Sequence, residues 1–388
     1  MTMPWVQDPQ PVQFLTPDGD FAPNESAQAF ATELESLDLV ALQEMYRDMA
    51  LTRAFDTECT NLQRQGQLAL WVPSVGQEGA QVGSARAALP QDHIFPSYRE
   101  HAVARIRGVN LVNVVAQFRG VTHGGWDVTD PAHGNFHLYT LVIGSQALHA
   151  TGFALSQVLD ATKKAGEKDL PAGAQGRETN EATIVYFGDG ATSQGDVNEA
   201  MIFAASYQTP QLFFVQNNKW AISVPVERQA RTPIYRRAAG FGLKSIQIDG
   251  NDILASYAVS NRMLKDARAG GGPQFIEALT YRIGAHTTSD DPTKYRENEE
   301  LLEWQAKDPI RRFEKYIKSQ GAEDSFFEQV AADAGELALK IRDGVLHMPV
   351  PEPGAMFKHV YAEEHPVMQG QAAWLERYEN SFEAGESA

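Results

Sequence analysis

The chain is poor in cysteine and in basic residues, and it has no long apolar run. Its 388 residues include a single cysteine, Cys59, so no disulfide can form within the chain and a reducing compartment fits. Cys59 falls in a stretch of helical character, where a packed thiol is a simpler reading than a nucleophile. Lysine and arginine number 33 against 50 aspartates and glutamates, a formal net charge of -17. That balance argues against nucleic acid or an anionic membrane surface as a general partner, though not against a local basic pocket. No apolar stretch is long enough to span a bilayer. The opening MTMPWVQDPQPVQFLTPDGD lacks a basic region followed by an apolar core. It reads neither as a secretory signal nor as an Arg-rich transit peptide, and the cytoplasm is the expected location. Two phosphate fingerprints are missing as well. The stretch GDGATS puts Ser193 where G-x-G-x-x-G needs its third glycine, and no Gly-Lys-Ser/Thr triplet follows.

What the chain does have is 43% hydrophobic residues, ordinary for a globular protein with a sizeable core. Residues 1 to about 36 read as an irregular arm able to wrap a neighbour. Leu39, Leu42, Met45, Met49, Leu51 and Phe55 have helical spacing, which continues to about Arg64. PSVGQEGAQVGSARAAL, from Pro73, opens with turn residues and continues as a small-residue helix. DHIFPSYRE (residues 92 to 100) is a short strand or loop. Ser145 to Leu159 is apolar and helical, and residues 163 to 180 form an exposed Gly/Pro-containing loop. Strands are expected at Thr183–Phe187, Gln211–Gln216, Lys244–Ile248 and Phe275–Arg282, with helices at Asp196–Tyr207 and Asp252–Arg268. Beyond about residue 300 come two helices, the segment MPVPEPG (348–354) and a last amphipathic stretch. Strands apolar throughout, separated by helices, imply an α/β fold with a parallel sheet covered by helices on both faces. The expected organisation is an arm over 1–36, one α/β unit over 37–345 and a tail over 346–388.

In such sheets ligands sit outside the carboxyl ends of the strands. Three polar stretches fall at such ends: YFGDG, QNN (216–218) and GAH (284–286). Asp189 stands between two glycines where a buried strand finishes, and a carboxylate there is costly unless cations or donors meet it. Two readings stand side by side. In one, Asp189 caps the following helix and Asn218 makes a turn. In the other, both end neighbouring strands and hold magnesium, which takes few protein oxygens plus phosphates and water. Gly190 and Ala191 would then offer backbone N–H groups to an anion.

G-D-G, a helix, then N-N after an apolar strand is the thiamine-diphosphate binding pattern. The sequence FGDGATSQGDVNEAMIFAASYQTPQLFFVQNNKWAIS resembles the α subunit of the thiamine-dependent decarboxylating component of 2-oxo acid dehydrogenase complexes. GQEGAQVGSA, FPSYRE and FIEALTYRIGAHTTSDDPTKYR match the same family in the same order, so the resemblance covers roughly residues 40 to 320. It implies a thiamine-diphosphate-binding fold with thiamine diphosphate and Mg2+ as cofactors. Asp189 and Asn218 would bind the metal by side chain and Trp220 by its carbonyl. Tyr98 and Arg99 would contact the diphosphate, Arg99 by charge-assisted hydrogen bonds, with Gly188, Gly190, Ala191 and Arg282 in the same cofactor set. Ile143 would lie beneath the cofactor and enforce its bent shape.

His286 would be catalytic and contact the cofactor, donating a hydrogen bond near the reacting centre or the lipoyl substrate. Thr287 stands where some relatives are phosphorylated, and here it reads as a solvated loop residue. The chain departs from the family in having Gln216 where some branched-chain members carry Arg, and Leu141-Val142 where some carry Ser-Pro. His133 and His137 lie near that second stretch without an assigned role. The implied reaction is oxidative decarboxylation of a 2-oxo acid with reductive acylation of a lipoyl group on the acyltransferase component. The glutamate the cofactor needs has no match in this chain, so a β subunit would supply it in a 2α2β assembly. TYRIGAHTTSDD points to branched-chain 2-oxo acids, VQNN to pyruvate, with acetoin a further alternative and branched-chain favoured. A nicotinamide-dependent dehydrogenase and a non-catalytic assembly subunit are the readings from other classes.

Overall fold

The computed structural model describes residues 9–121, 125–167, 176–358 and 360–383. Residues 1–8 of the expected arm, 168–175 of the expected loop and 384–388 of the tail lie outside the described residues. In chain order, helices α1 (Leu39–Arg64) and α2 (Glu78–Ala87) precede strand β1 (His93–Phe95), which is followed by α3 (His101–Ile106), α4 (Leu111–Arg119) and α5 (Gln146–Lys164). Strand β2 (Thr183–Gly188), helix α6 (Gly195–Tyr207) and strand β3 (Gln211–Asn217) come next. A hairpin of β4 (Trp220–Ala221) and β5 (Val224–Pro225) leads through α7 (Val226–Gln229) and α8 (Ile234–Gly240) to β6 (Lys244–Asp249), α9 (Ile253–Asp266) and β7 (Gln274–Leu279). Helices α10 (Asn298–Gln305), α11 (Pro309–Ser319), α12 (Asp324–Leu346) and α13 (Pro366–Glu383) follow.

Five strands form one parallel sheet in the order β1-β2-β3-β7-β6. Ile184, Tyr186, Leu212 and Phe214 pack into one apolar layer with α1, α2 and α9. Val185, Phe187, Phe213 and Val215 pack into the other with α5, α6 and α8. Side chains alternate faces along a strand, so strands buried on both sides are mostly apolar, and a buried polar residue there, such as Asn217 or Glu277, needs a hydrogen-bond partner. Truncating fully buried Phe187, Phe213 or Phe214 to alanine would cost roughly 3–5 kcal/mol. Helix α2 is made of small residues because it lies hard against α9. A Cβ at Gly83 would come within 2.6 Å of Ser256 Cβ and 2.7 Å of the Ile253 carbonyl oxygen.

Three expectations need correction. The arm is not irregular throughout, since Glu25–Leu34 form a 3-10 helix, and its residues Val12, Phe14 and Leu15 are fully buried in their own chain. The Asp252 carboxylate accepts from the N–H groups of Phe14 (2.6 Å) and Leu15 (2.8 Å). Val12 also bridges to Ile248 of β6, which covers the outer edge of the sheet. Strand β7 stops at Leu279, short of Arg282, because β3 turns away at Lys219, whose φ is +73°. The region beyond Asn298 holds three helices before MPVPEPG, where two were expected. Asp308 starts the middle one by accepting from the N–H groups of Ile310 and Arg311, with Pro309 in the first turn. Cys59 is fully buried and its thiol pKa is pushed well up by burial, as a packed residue requires. Among the described residues no helix is long and apolar enough to cross a membrane.

Candidate active site

Asp189 follows directly on β2 and opens a short 3-10 turn, Asp189–Ser193, before α6. It is 1% exposed. Its Oδ2 accepts from Gln229 Nε2 at 2.8 Å, and no ion pair reaches it among the described residues. Burial pushes its pKa up to about 6 against the opposing effect of the Gln229 bond. The neighbouring glycine has a steric reason: a Cβ at Gly190 would sit 2.7 Å from Ala221 Cβ in the β4–β5 hairpin. Gly190→Ala is therefore expected to push the hairpin outward at a cost of about 1–3 kcal/mol. Thermal unfolding would register it, and an unchanged melting temperature would contradict this packing.

The two asparagines at the end of β3 divide the work. Asn217 ties the sheet together, donating from Nδ2 to Glu277 Oε1 at 2.7 Å. Asn218 faces the crevice. Its Oδ1 accepts from the Trp220 N–H at 3.3 Å and its Nδ2 donates to Gln77 Oε1 at 3.2 Å. Lys219 and Ile222 both have positive φ, +73° and +55°, a strained backbone for side chains of these types. Arg282 holds that hairpin in place. Its guanidinium donates to the carbonyls of Trp220 (2.9 Å) and Ile222 (2.8 Å) and to the Tyr295 hydroxyl (2.7 Å). A carbonyl oxygen has two lone pairs, so the Trp220 oxygen keeps one beyond the Arg282 bond.

After β7 the chain runs on beside β3 and crosses to the loop before α2, with Ile283 N–H on the Val75 carbonyl at 3.2 Å. This brings His286 to Arg99. The Arg99 guanidinium donates to the Pro73 carbonyl, to the His286 carbonyl at 3.0 Å and to His286 Nδ1 at 3.3 Å. Trp71 and Asp56 set the Pro73 loop: the indole N–H reaches Asp56 at 2.6 Å, the ring stacks on His101, and the Ser74 N–H also reaches Asp56 at 2.7 Å. Arginine can only donate, so Nδ1 of His286 is the acceptor and its proton lies on Nε2. Burial, then the charges of Arg99 and Arg282, push the His286 pKa down to about 3. His286 is a neutral N–H donor.

These elements enclose a cavity of about 430 Å³. Tyr98, Arg99, Ile143, Gly188, Asp189, Gly190, Ala191, Asn218, Trp220 and His286 all line it. Arg282 does not; it is fully buried behind the hairpin, where it positions carbonyls instead of facing the space. His137 stacks on Phe95 and bonds His93 at 3.3 Å, and His133 bonds the Asp127 carbonyl, so neither lines the cavity. The Thr287 hydroxyl accepts from the Ser289 N–H at 3.3 Å. Gln216 lines the cavity, but its amide is taken up by Glu100 at 2.6 Å and Gln81 at 3.0 Å. Sequence reasoning missed Gln77, Gln229 and Glu100 in the wall. Gln77 and Glu100 lie inside GQEG and SYRE, whose order carried a signal. Gln229 sits in a one-turn helix with none.

A family model described as the dehydrogenase E1 component matches residues 46–334. The chain belongs to the dehydrogenase E1 component family. It is 42% identical over 370 residues to the 3-methyl-2-oxobutanoate dehydrogenase subunit alpha of Mycobacterium tuberculosis, covering 95% of this chain and 94% of that one. It is 36% identical over 344 residues to the pyruvate dehydrogenase E1 component subunit alpha of Acholeplasma laidlawii, covering 87% and 93%. A pyruvate dehydrogenase E1 component subunit alpha of Staphylococcus aureus is 36% identical over 299 residues, 75% of each chain. The E1 family implies thiamine diphosphate, and the wall of this E1 chain suits a diphosphate beside a cation. Asp189 is a buried carboxylate without an ion pair among the described residues. Gln77 Nε2 is a buried donor without a hydrogen-bond partner among the described residues. Arg99, bonded to His286, supplies positive charge in the same wall.

Proposed function

We propose that this chain is the α subunit of the decarboxylating component of a branched-chain 2-oxo acid dehydrogenase complex. The observation that carries the substrate is its 42% identity along nearly the whole chain to a relative named for 3-methyl-2-oxobutanoate, against 36% to relatives named for pyruvate. Residues 37–345 form the working unit of this reading, flanked by the arm and the tail. In it, magnesium takes the Asp189 carboxylate, Asn218 Oδ1 and the Trp220 carbonyl. Among the described residues no three His, Cys, Asp or Glu side chains are grouped to hold a metal. A site with one carboxylate and neutral oxygens suits an ion that shares phosphate and water ligands. Arg99, Tyr98 and the Gly190 and Ala191 amides hold the diphosphate, and Ile143 supports the cofactor between its ends. Bound there, thiamine diphosphate would supply the electron sink that loss of carbon dioxide and acyl transfer to a lipoyl group require. The chain's own contribution near the reacting centre is the Nε2–H of His286.

Leu141, Val142 and Ile143 are 57%, 72% and 40% exposed beside the cavity, and Ile222 and Val224 continue the apolar rim. Apolar runs of this kind mark surfaces that another chain covers. A β subunit there closes the site and supplies the missing carboxylic acid, in a 2α2β assembly that docks a lipoyl-bearing acyltransferase. A cytoplasmic location fits the single reduced, buried cysteine. Mixed with its β subunit, the chain is expected to turn over 3-methyl-2-oxobutanoate at least about tenfold better than pyruvate in kcat/KM, since lost methylenes in an apolar pocket are worth that much. The α chain alone is expected to be inactive. A pyruvate preference, or full activity without the β subunit, would refute this reading.

A further inference from the structure

We propose that Gln77 is a cofactor-binding residue whose Nε2–H donates to an oxygen of the diphosphate while its Oε1 orients Asn218. The inference rests on reading the cavity as the diphosphate site. Gln77 immediately precedes α2, is 1% exposed and lines the cavity. One backbone N–H fixes both amides. The Trp220 N–H donates to Asn218 Oδ1 at 3.3 Å, so Asn218 Nδ2 points the other way, to Gln77 at 3.2 Å. An amide N–H can face only an acceptor, so the Gln77 atom there is Oε1. Its Nε2 is then left on the other side, buried and, among the described residues, without a hydrogen-bond partner.

Buried amide donors are nearly always satisfied, and an unmet one carries a desolvation cost that an incoming acceptor removes. Gln216 in the same wall shows the contrast, with both ends of its amide engaged. Gln157 Nε2 and Gln211 Nε2 are likewise unmet among the described residues, but only Gln77 of the three lines the cavity, so the occupant of the cavity is the partner assigned to it. A metal-bound water presents its hydrogens outward and is a poor acceptor. A diphosphate oxygen is a strong one, and it belongs beside the amide that Gln77 already orients. The residue thus joins the two halves of the site: by Oε1 it sets the direction of Asn218, and by Nε2 it meets the anion.

The test uses the assembled α–β enzyme and Gln77→Met, which keeps the length and removes both polar atoms. Calorimetric titration at saturating magnesium is expected to show thiamine diphosphate binding weakened about tenfold, the scale of one lost hydrogen bond to a charged group. Inorganic pyrophosphate, competing for the same site, should weaken by a similar factor, and the magnesium concentration for half-saturation should rise. The cofactor-free assembly should keep its melting temperature. Gln77→Asn, which withdraws the amide by one methylene, should weaken pyrophosphate as well. Unchanged binding of both ligands, or weakened thiamine diphosphate with unchanged pyrophosphate, would overturn the assignment of Gln77 alone. A wild-type assembly that binds neither would overturn the cofactor reading and this inference with it.

Discussion

Replacing Asp189 with alanine is expected to abolish magnesium-dependent binding of thiamine diphosphate to the assembled enzyme. The loss should exceed about a hundredfold, the upper range for removing even an outer partner of a metal ligand. Asp189 is the carboxylate at the end of β2, held at 1% exposure with one neutral hydrogen bond from Gln229. Without it the cation would meet only neutral oxygens, Asn218 Oδ1 and the Trp220 carbonyl. The same substitution has an opposite effect on the empty protein. A carboxyl whose folded pKa is raised to about 6 contributes stability below its unfolded pKa and loses it as pH rises through about 6. At neutral pH the ionised group is therefore a burden. The variant is expected to melt at the same temperature as the wild type or higher when cofactor-free, and to gain no stability on adding cofactor and magnesium. Unchanged cofactor affinity would end the metal assignment.

Substitution of His286 by alanine should separate binding from turnover. Cofactor affinity is expected to change little, because Arg99 keeps its bond to the backbone carbonyl of residue 286 at 3.0 Å and to Pro73. Overall turnover should fall by roughly 10²–10³, the usual consequence of removing one donor aimed at developing charge. The pH dependence sharpens the test. With its pKa pushed down to about 3, His286 is neutral above that value. Its contribution to stability is present above the unfolded pKa and is lost as pH falls from about 6.5 toward 3. The pH–rate profile of the free wild-type enzyme should therefore show no limb near 6.5 that disappears in the variant. A variant with full turnover, or such a limb, would exclude this role.

Much of the fold was legible because burial on both faces leaves strands that are apolar at most positions. TIVYF, QLFFV and FIEAL stand out for that reason, with Thr183, Gln211 and Glu277 their polar exceptions, and their sequence spacing matches the strand–helix alternation. The hidden parts depended on partners distant in sequence. Val12 to Leu15 look like a free arm until Asp252, some 240 residues on, accepts from the N–H groups of Phe14 and Leu15. Arg282 sits in the strongest motif and reads as a cofactor contact, yet its guanidinium spans to the β4–β5 hairpin. Gln229 carries no local pattern, and only the packing of α7 against the Asp189–Ser193 turn gives Asp189 its hydrogen bond.

By itself the order of residues determined the family, the parallel α/β sheet and the chemical types gathered at its edge, since these follow from periodicity and from motifs that recur in fixed sequence. The three-dimensional arrangement decided which atoms are committed and which are free. It made Arg282 a clamp and Asn217 a tie, turned Asn218 into the cavity wall, set the proton of His286 on Nε2 and, among the described residues, left Gln77 Nε2 unmet. Hydrogen-bond direction depends on what lies within about 3 Å, and no separation along the chain specifies that.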